Sequence, residues 1–235
     1  CSMPWGPITE GSWHVSGCPL TGRRLVAMAV TERMTPEFLP DALPPMEVAS
    51  RVDRLRGLLD GAECDALVVT DLTNIRYLTG FTGSAAIVLV GPDELLFVSD
   101  GRYQTQSHQQ LAGAGVAARI EIVAADPEAV VADAAADAGV ARLGLEAGSV
   151  SWAQQRRWAT TLFPAGELVA TGGLVEELRL VKDSGEAARI RSACAIADRA
   201  LAEVRGRLLD GQTEVEFALE LDTAMRRLGA EDVRL

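Results

Sequence analysis

This chain of 235 residues carries 22 Lys and Arg against 33 Asp and Glu, a net charge of −11 that repels phosphate backbones and argues against nucleic-acid binding. Its hydrophobic fraction of 48% is that of a globular protein burying a core, and no apolar run reaches the roughly 18 residues that cross a bilayer. The opening residues lack the apolar stretch of a signal peptide, so the expectation is a soluble cytoplasmic protein with neither nucleic acid nor membrane as partner.

Residues 1–46 hold seven of the ten prolines and no sustained period, which disfavours helices and central strands alike. They read as a disordered or wrongly assigned leader, with Met28, Met34 or Met46 as alternative starts. Order begins near Met46, where Val48, Val52, Leu55 and Leu59 recur at helical spacing and Gly61 is placed to end the helix. Ala66–Val69 reads as a buried strand. The special sequence Asn74 to Ser84 reads as a loop, pinned on the domain by Tyr77 and Leu78. Ser84–Val90 and Glu94–Val98 read as antiparallel strands joined by the hairpin residues Gly91-Pro92-Asp93.

From residue 101 helix and strand patterns alternate. Tyr103–Leu111, Pro127–Ala138 and Ser151–Thr161 read as helices, with Pro127 in a first turn and Ser151 as a cap. Arg119–Val123, Arg142–Glu146 and Glu167–Ala170 read as strands. A hairpin followed by alternating units implies an α/β fold, a mixed β-sheet with helices on both faces, over a domain spanning 47–173. After Gly172-Gly173, the residues Ala187, Ile190, Cys194, Ala197, Leu201, Val204 and Leu208 mark one face of a long helix started by Asp183 and Glu186. Thr213 and Glu216 form a capping box for a second helix, whose apolar face is Phe217, Leu221, Met225 and Leu228. Two helices each exposing an apolar stripe read as the truncated start of a further domain, 174–235.

Few residues offer chemistry. His14 and His108 are the only imidazoles, and neither has metal-binding spacing. Cys1, Cys18, Cys64 and Cys194 are scattered, so neither a zinc site nor a disulfide framework is expected, and Cys64 and Cys194 read as buried thiols. No phosphate-loop or dinucleotide fingerprint is present, and a nucleotide-binding reading rests on the 74–84 loop alone. Arg102 reads as a partner of Asp100, Trp152 and Trp158 as packing anchors, His108 as part of a solvated helix face. Asp222, Glu231 and Asp232 read as solvated charges rather than metal ligands.

Several strings in order resemble one known family. Asn74-Ile75, Tyr77-Leu78-Thr79-Gly80-Phe81 and Asp100-x-Arg102-Tyr103 are similar to the N-terminal domain of the Xaa-Pro aminopeptidase, prolidase and creatinase family. Arg179-Leu180-Val181-Lys182-Asp183 with Glu186 and Arg191 resembles its inter-domain strand and following helix, although Ser184-Gly185 departs from the usual helix-forming pair and implies a looser start. Gly211-x-Thr213-Glu214-x-Glu216 and Gly229-Ala230-Glu231 resemble the next helix and turn. The resemblance implies a creatinase-like domain followed by the opening of a pita-bread α/β metallopeptidase domain. It further implies two divalent ions (Mn, Co or Zn) in the full-length family, held by two Asp, one His and two Glu, with proline-containing peptides as substrates and a homodimer as the assembly. Tyr77, Phe81 and Arg102 are its candidates for contact with a partner subunit's active-site mouth. No histidine follows His108, so the expectation is a fragment that binds no metal pair, holds no catalytic residue and is inactive alone. The alternative is a non-catalytic association or dimerisation module derived from the same family.

Overall fold

The computed structural model describes residues 43–209 and 211–231. Of the expected leader only residues 43–46 fall inside that range, and His14, Cys1, Cys18 and Asp232 lie outside it.

Helix α1 (Arg51–Leu59) buries Val52, Leu55 and Leu59 as its period requires, with Arg51 alongside them. The chain leaves it through Glu63 at φ 57° rather than through Gly61. Strand β1 (Ala66–Val69) is buried along its whole length. The segment expected as a loop begins instead with helix α2 (Leu72–Thr79). Asp71 caps it by accepting from the N–H groups of Thr73 and Asn74, and Gly80 ends it at φ 75° with its N–H on the Arg76 carbonyl. Asn74, a turn former in isolation, lies within the helix, and Gly80 is its cap, around a buried Ile75, Tyr77 and Leu78.

Strands β2 (Ala86–Val90) and β3 (Leu95–Ser99) form the expected hairpin, closed by the Gly91 N–H on the Glu94 carbonyl at 3.0 Å. A 3₁₀ turn over Gly101–Tyr103 leads into α3 (Gln104–Gly113). Then follow β4 (Arg119–Ile122), α4 (Pro127–Asp137), β5 (Arg142–Glu146), α5 (Trp152–Arg157) and β6 (Glu167–Thr171). A π turn over Trp158–Leu162 prolongs α5. The six strands make one mixed sheet in the order β4-β3-β2-β1-β5-β6. Only β2 runs against its neighbours; β1 pairs in parallel with β5, β5 with β6, and β3 with β4.

Strand alternation sorts side chains into two cores. Leu67, Val69, Val88 and Phe97 pack with α1, α2 and Leu111 on one face. Ala66, Val68, Leu96 and Val98 pack with Val131, Ala135 and Trp158 on the other. Trp158 is an anchor as expected, at 1% exposure, whereas Trp152 is 76% exposed and packs nothing of this core. Their spacing of six places them on different sides of the helix.

Helix α6 (Leu174–Leu180) occupies a segment for which no helix was expected and presses Val175 and Leu178 against the first core. Arg179 and Leu180 therefore end a helix rather than forming the anticipated strand. Helix α7 (Ser184–Val204) starts firmly despite Ser184-Gly185, because Asp183 and Glu186 complete a capping box. A 3₁₀ turn (Arg205–Leu209) and α8 (Glu214–Arg227), capped by Thr213, follow. Phe217, Leu221, Met225 and Leu228 are not left bare: they pack on Ala200, Val204 and Ala224. The face of α7 left open instead carries Ile190, Cys194 and Leu201, so Cys194 is exposed where a buried thiol was expected.

Candidate functional site

At the carboxyl ends of β1 and β5, where open α/β sheets place their ligand crevices, a polar knot joins four elements. Glu146, the last residue of β5, accepts from the backbone N–H of Thr70 and Asp71 at 2.7 and 2.9 Å and from Asn74 Nδ2 at 2.7 Å. The same Asn74 amide donates to Glu176 of α6 at 2.7 Å, while its Oδ1 accepts from Arg179 at 2.9 Å. Asn74 is buried and every polar atom of its side chain is engaged, which fixes its rotamer and the β1–α2 turn with it. A cleft of about 240 Å³ lies beside the knot, lined by Glu146, Thr171, Gly173 and Glu176. Four donors from Thr70, Asp71 and Asn74 converge on the Glu146 carboxylate, which thereby staples β5 to the β1–α2 turn.

A second polar surface lies beyond β3. Arg102 donates from Nε and Nη2 to the two Asp100 oxygens at 3.0 and 2.8 Å, the pairing expected from sequence. Its guanidinium holds the Asp100 carboxyl below the usual carboxylate range and is itself held further up. Arg102 also sits 5.2 Å from the Tyr103 ring centroid. The Tyr103 hydroxyl lies 2.7 Å from Ser84 Oγ, a bond that draws its pKa down. Beneath, Phe81 meets Tyr103 and Phe97 edge-on, with centroids at 5.4 and 4.9 Å.

Third, the buried Arg51 clamps the start of α7. It reaches Asp183 at 2.7 Å and Glu186 at 3.2 Å, donates to the Tyr77 carbonyl at 2.8 Å, and stacks 4.1 Å from the Tyr77 ring centroid.

The three candidate residues do not converge. Tyr77 lies in the first core with its hydroxyl on the Leu178 carbonyl at 3.2 Å, and Phe81 is buried under Tyr103. Arg102 alone stands at the surface, its side chain 69% exposed. Asn74, Glu146, Glu176, Arg179 and Arg51 were not marked as site residues, because the charged and amide side chains they pair with lie 72 or more residues away in the chain. One signal was available for Arg51, a charge four residues before Leu55 on an otherwise apolar helix face.

No nucleophile and base are paired in these clusters. His108 lies on an exposed face of α3 with Nδ1 2.7 Å from the Gln104 carbonyl, as expected for a solvated side chain. Among the described residues no three His, Cys, Asp or Glu side chains are grouped so as to hold a metal ion. The described residues thus do not fit the metal pair that the resemblance implies. Likewise no helix among them is long and apolar enough to cross a membrane.

A mixed six-strand sheet, a capped β1–α2 turn locked to β5, and an Asp-x-Arg-Tyr turn after β3 together define an α/β domain of the creatinase-like architecture anticipated from the motifs. The chain belongs to the creatinase/prolidase N-terminal domain family, whose model matches residues 51–181. It is 33% identical to the uncharacterized peptidase YqhT of Bacillus subtilis over 77% of its own length and 50% of that protein's. Among solved structures it is similar to an Xaa-Pro dipeptidase from Bacillus anthracis (30% identity, TM-score 0.70, covering 77% of this chain and 50% of that one). It is similar also to an X-Pro aminopeptidase from Thermotoga maritima (29% identity, TM-score 0.66, the same coverage). The chain spans about half the length of these relatives.

Proposed function

We propose that this chain is the non-catalytic half of a metal-dependent Xaa-Pro peptidase, acting in the cytoplasm. In this reading the creatinase-like domain, expected over 47–173, runs on through α6, whose Val175 and Leu178 pack in its first core, and the residues after it to 235 open the catalytic domain. The intact protein hydrolyses peptide bonds next to proline, and the 235 residues alone are inactive. The supporting observation is the match to two Xaa-Pro peptidases along half of their length. Two divalent ions bound elsewhere in the intact protein would supply the activated water; the present residues would orient and cover. Arg102 is the residue that reaches a partner subunit's cleft in a homodimer, and Phe81 supports it through Tyr103.

The test is metal analysis of the purified chain together with hydrolysis assays on Xaa-Pro dipeptides and longer Xaa-Pro peptides. No stoichiometric metal and no cleavage is the expected result. Two ions per chain with cleavage at proline would overturn the reading.

A further inference from the structure

The junction of α6 and α7 carries a cleft of about 510 Å³ unlike the rest of this acidic surface. Its apolar wall is made by Met46, Leu180 and Ile190, and the last two are 73% and 50% exposed. Its charged rim holds Arg179, Lys182 and Arg189. Arg179 donates to the Asn74 amide oxygen, Lys182 to the Leu180 carbonyl, and Arg189 to the carbonyls of Pro44 and Gly185. All of these acceptors are neutral. Among the described residues no carboxylate lies within ion-pair distance of any of the three. The two carboxylates that line the cleft are already committed, Glu176 to Asn74 and Glu186 to Arg51 and the Asp183 N–H.

Three cations with no ion pair among the described residues, set around exposed aliphatic side chains in a chain of net charge −11, describe a docking surface with defined complementarity. We propose that this cleft receives an acidic amphipathic polypeptide segment. An aliphatic side chain of the segment packs on Leu180 and Ile190, and its carboxylates meet Lys182, Arg189 and Arg179. A second copy of this chain presenting the same face is disfavoured, because a two-fold contact would bring like cations together. A nucleic acid, with a charge on every phosphate, would meet the repulsion of the whole molecule far more strongly than a short segment carrying a few carboxylates. The inference does not rest on the peptidase reading and survives if that reading fails.

The probe is a short capped peptide of leucine and glutamate, titrated into the full chain and followed by amide chemical shifts. The same peptide with lysine in place of glutamate serves as control. The expected result is saturable shifts centred on residues 179–190 with the glutamate peptide only, weakened by added salt. Lys182→Glu, which gives up only the hydrogen bond of Lys182 to the Leu180 carbonyl, should weaken binding about tenfold, and Ile190→Gln by a similar factor. Equal response to both peptides, shifts centred elsewhere, no binding, or an unchanged affinity in Lys182→Glu would each overturn the proposal.

Discussion

The Arg51 guanidinium stacks 4.1 Å from the centroid of the Tyr77 ring and donates through Nη1 to the carbonyl oxygen of the same residue at 2.8 Å. One side chain of α1 thereby holds both the backbone and the ring in the last turn of α2. Its second amino group points the other way, to Asp183 and Glu186 at the start of α7. Three helices distant in sequence meet at one buried cation. Arg51→Met keeps much of the packing but leaves two carboxylates without their counter-charge. Breaking a buried pair from one side is costly, and since Asp183 and Glu186 keep some solvent contact the loss is set at about 2–3 kcal/mol. Urea unfolding followed by circular dichroism measures it, and a midpoint equal to that of the unaltered protein would refute the clamp.

The same clamp sets a pH dependence. Burial pushes the Asp183 carboxyl up, but the Glu186 N–H, the Arg51 guanidinium and the Glu47 N–H together hold it below the ordinary range. A carboxyl lower in the folded than in the unfolded chain adds stability above its unfolded value, near about 4, and loses it as pH falls through the folded value. The urea midpoint should therefore stay level from neutral pH to about 5 and decline below about 4. In Arg51→Met the acid decline should be shallower, since Asp183 has lost one of the groups that depress it. Parallel acid limbs in the two proteins would show that Asp183 is not the group responsible.

Asn74 donates to Glu146 and Glu176 at 2.7 Å each, so it separates two carboxylates that would otherwise repel. Asn74→Asp replaces that donor with a third negative charge of the same size. The expected cost is about 2–3 kcal/mol at neutral pH, from lost hydrogen bonds and repulsion. The sign of the pH effect is opposite to that of Asp183. A carboxyl beside two others has its folded pKa raised. Arg179, which faces the same position at 2.9 Å, offsets part of this, but two carboxylates stand against one guanidinium and the folded pKa remains raised. The folded variant therefore takes up a proton more readily, and its deficit shrinks as pH falls toward 5. Thermal unfolding at pH 7 and at pH 5 distinguishes this from simple loss of packing, for which the deficit would be the same at both.

Most strands were legible from sequence because each is short, apolar and bounded by turn residues, as Ala66–Val69 and the Gly91-Pro92-Asp93 hairpin illustrate. Helix α2 was hidden because Asn74 and Gly80 are turn formers in isolation. Only the pair of Asp71 at one end and Gly80 at the other identifies them as the bounds of a short helix. The Gly185 departure had a cause invisible along the chain: a Cβ there would stand 2.3 Å from the Pro45 carbonyl oxygen, so the start of α7 is glycine because residues 44–46 lie against it. The partners in the knot at Asn74 and in the clamp at Arg51 were illegible for the same reason, since long-range polar pairing leaves no periodic trace; only the placement of Arg51 on an apolar helix face hinted at burial. Arg102 with Asp100 was readable because the partners are two residues apart.

Trp152 and Trp158 provide the sharpest contrast between sequence and burial. Both belong to one stretch of helix, yet Trp158 contributes one of the largest fully buried side chains, packed with Val131, Leu143 and Phe163, while Trp152 is 76% exposed. Trp158→Ala removes a large indole from a close-packed face of the sheet and should cost about 3–5 kcal/mol. Trp152→Ser should change stability by no more than about 0.5 kcal/mol, as for an ordinary surface site. Chemical denaturation of the two variants side by side measures both. A large loss in Trp152→Ser would mean that this indole is covered in solution, and a small loss in Trp158→Ala would mean that the second core does not depend on the π turn that delivers it.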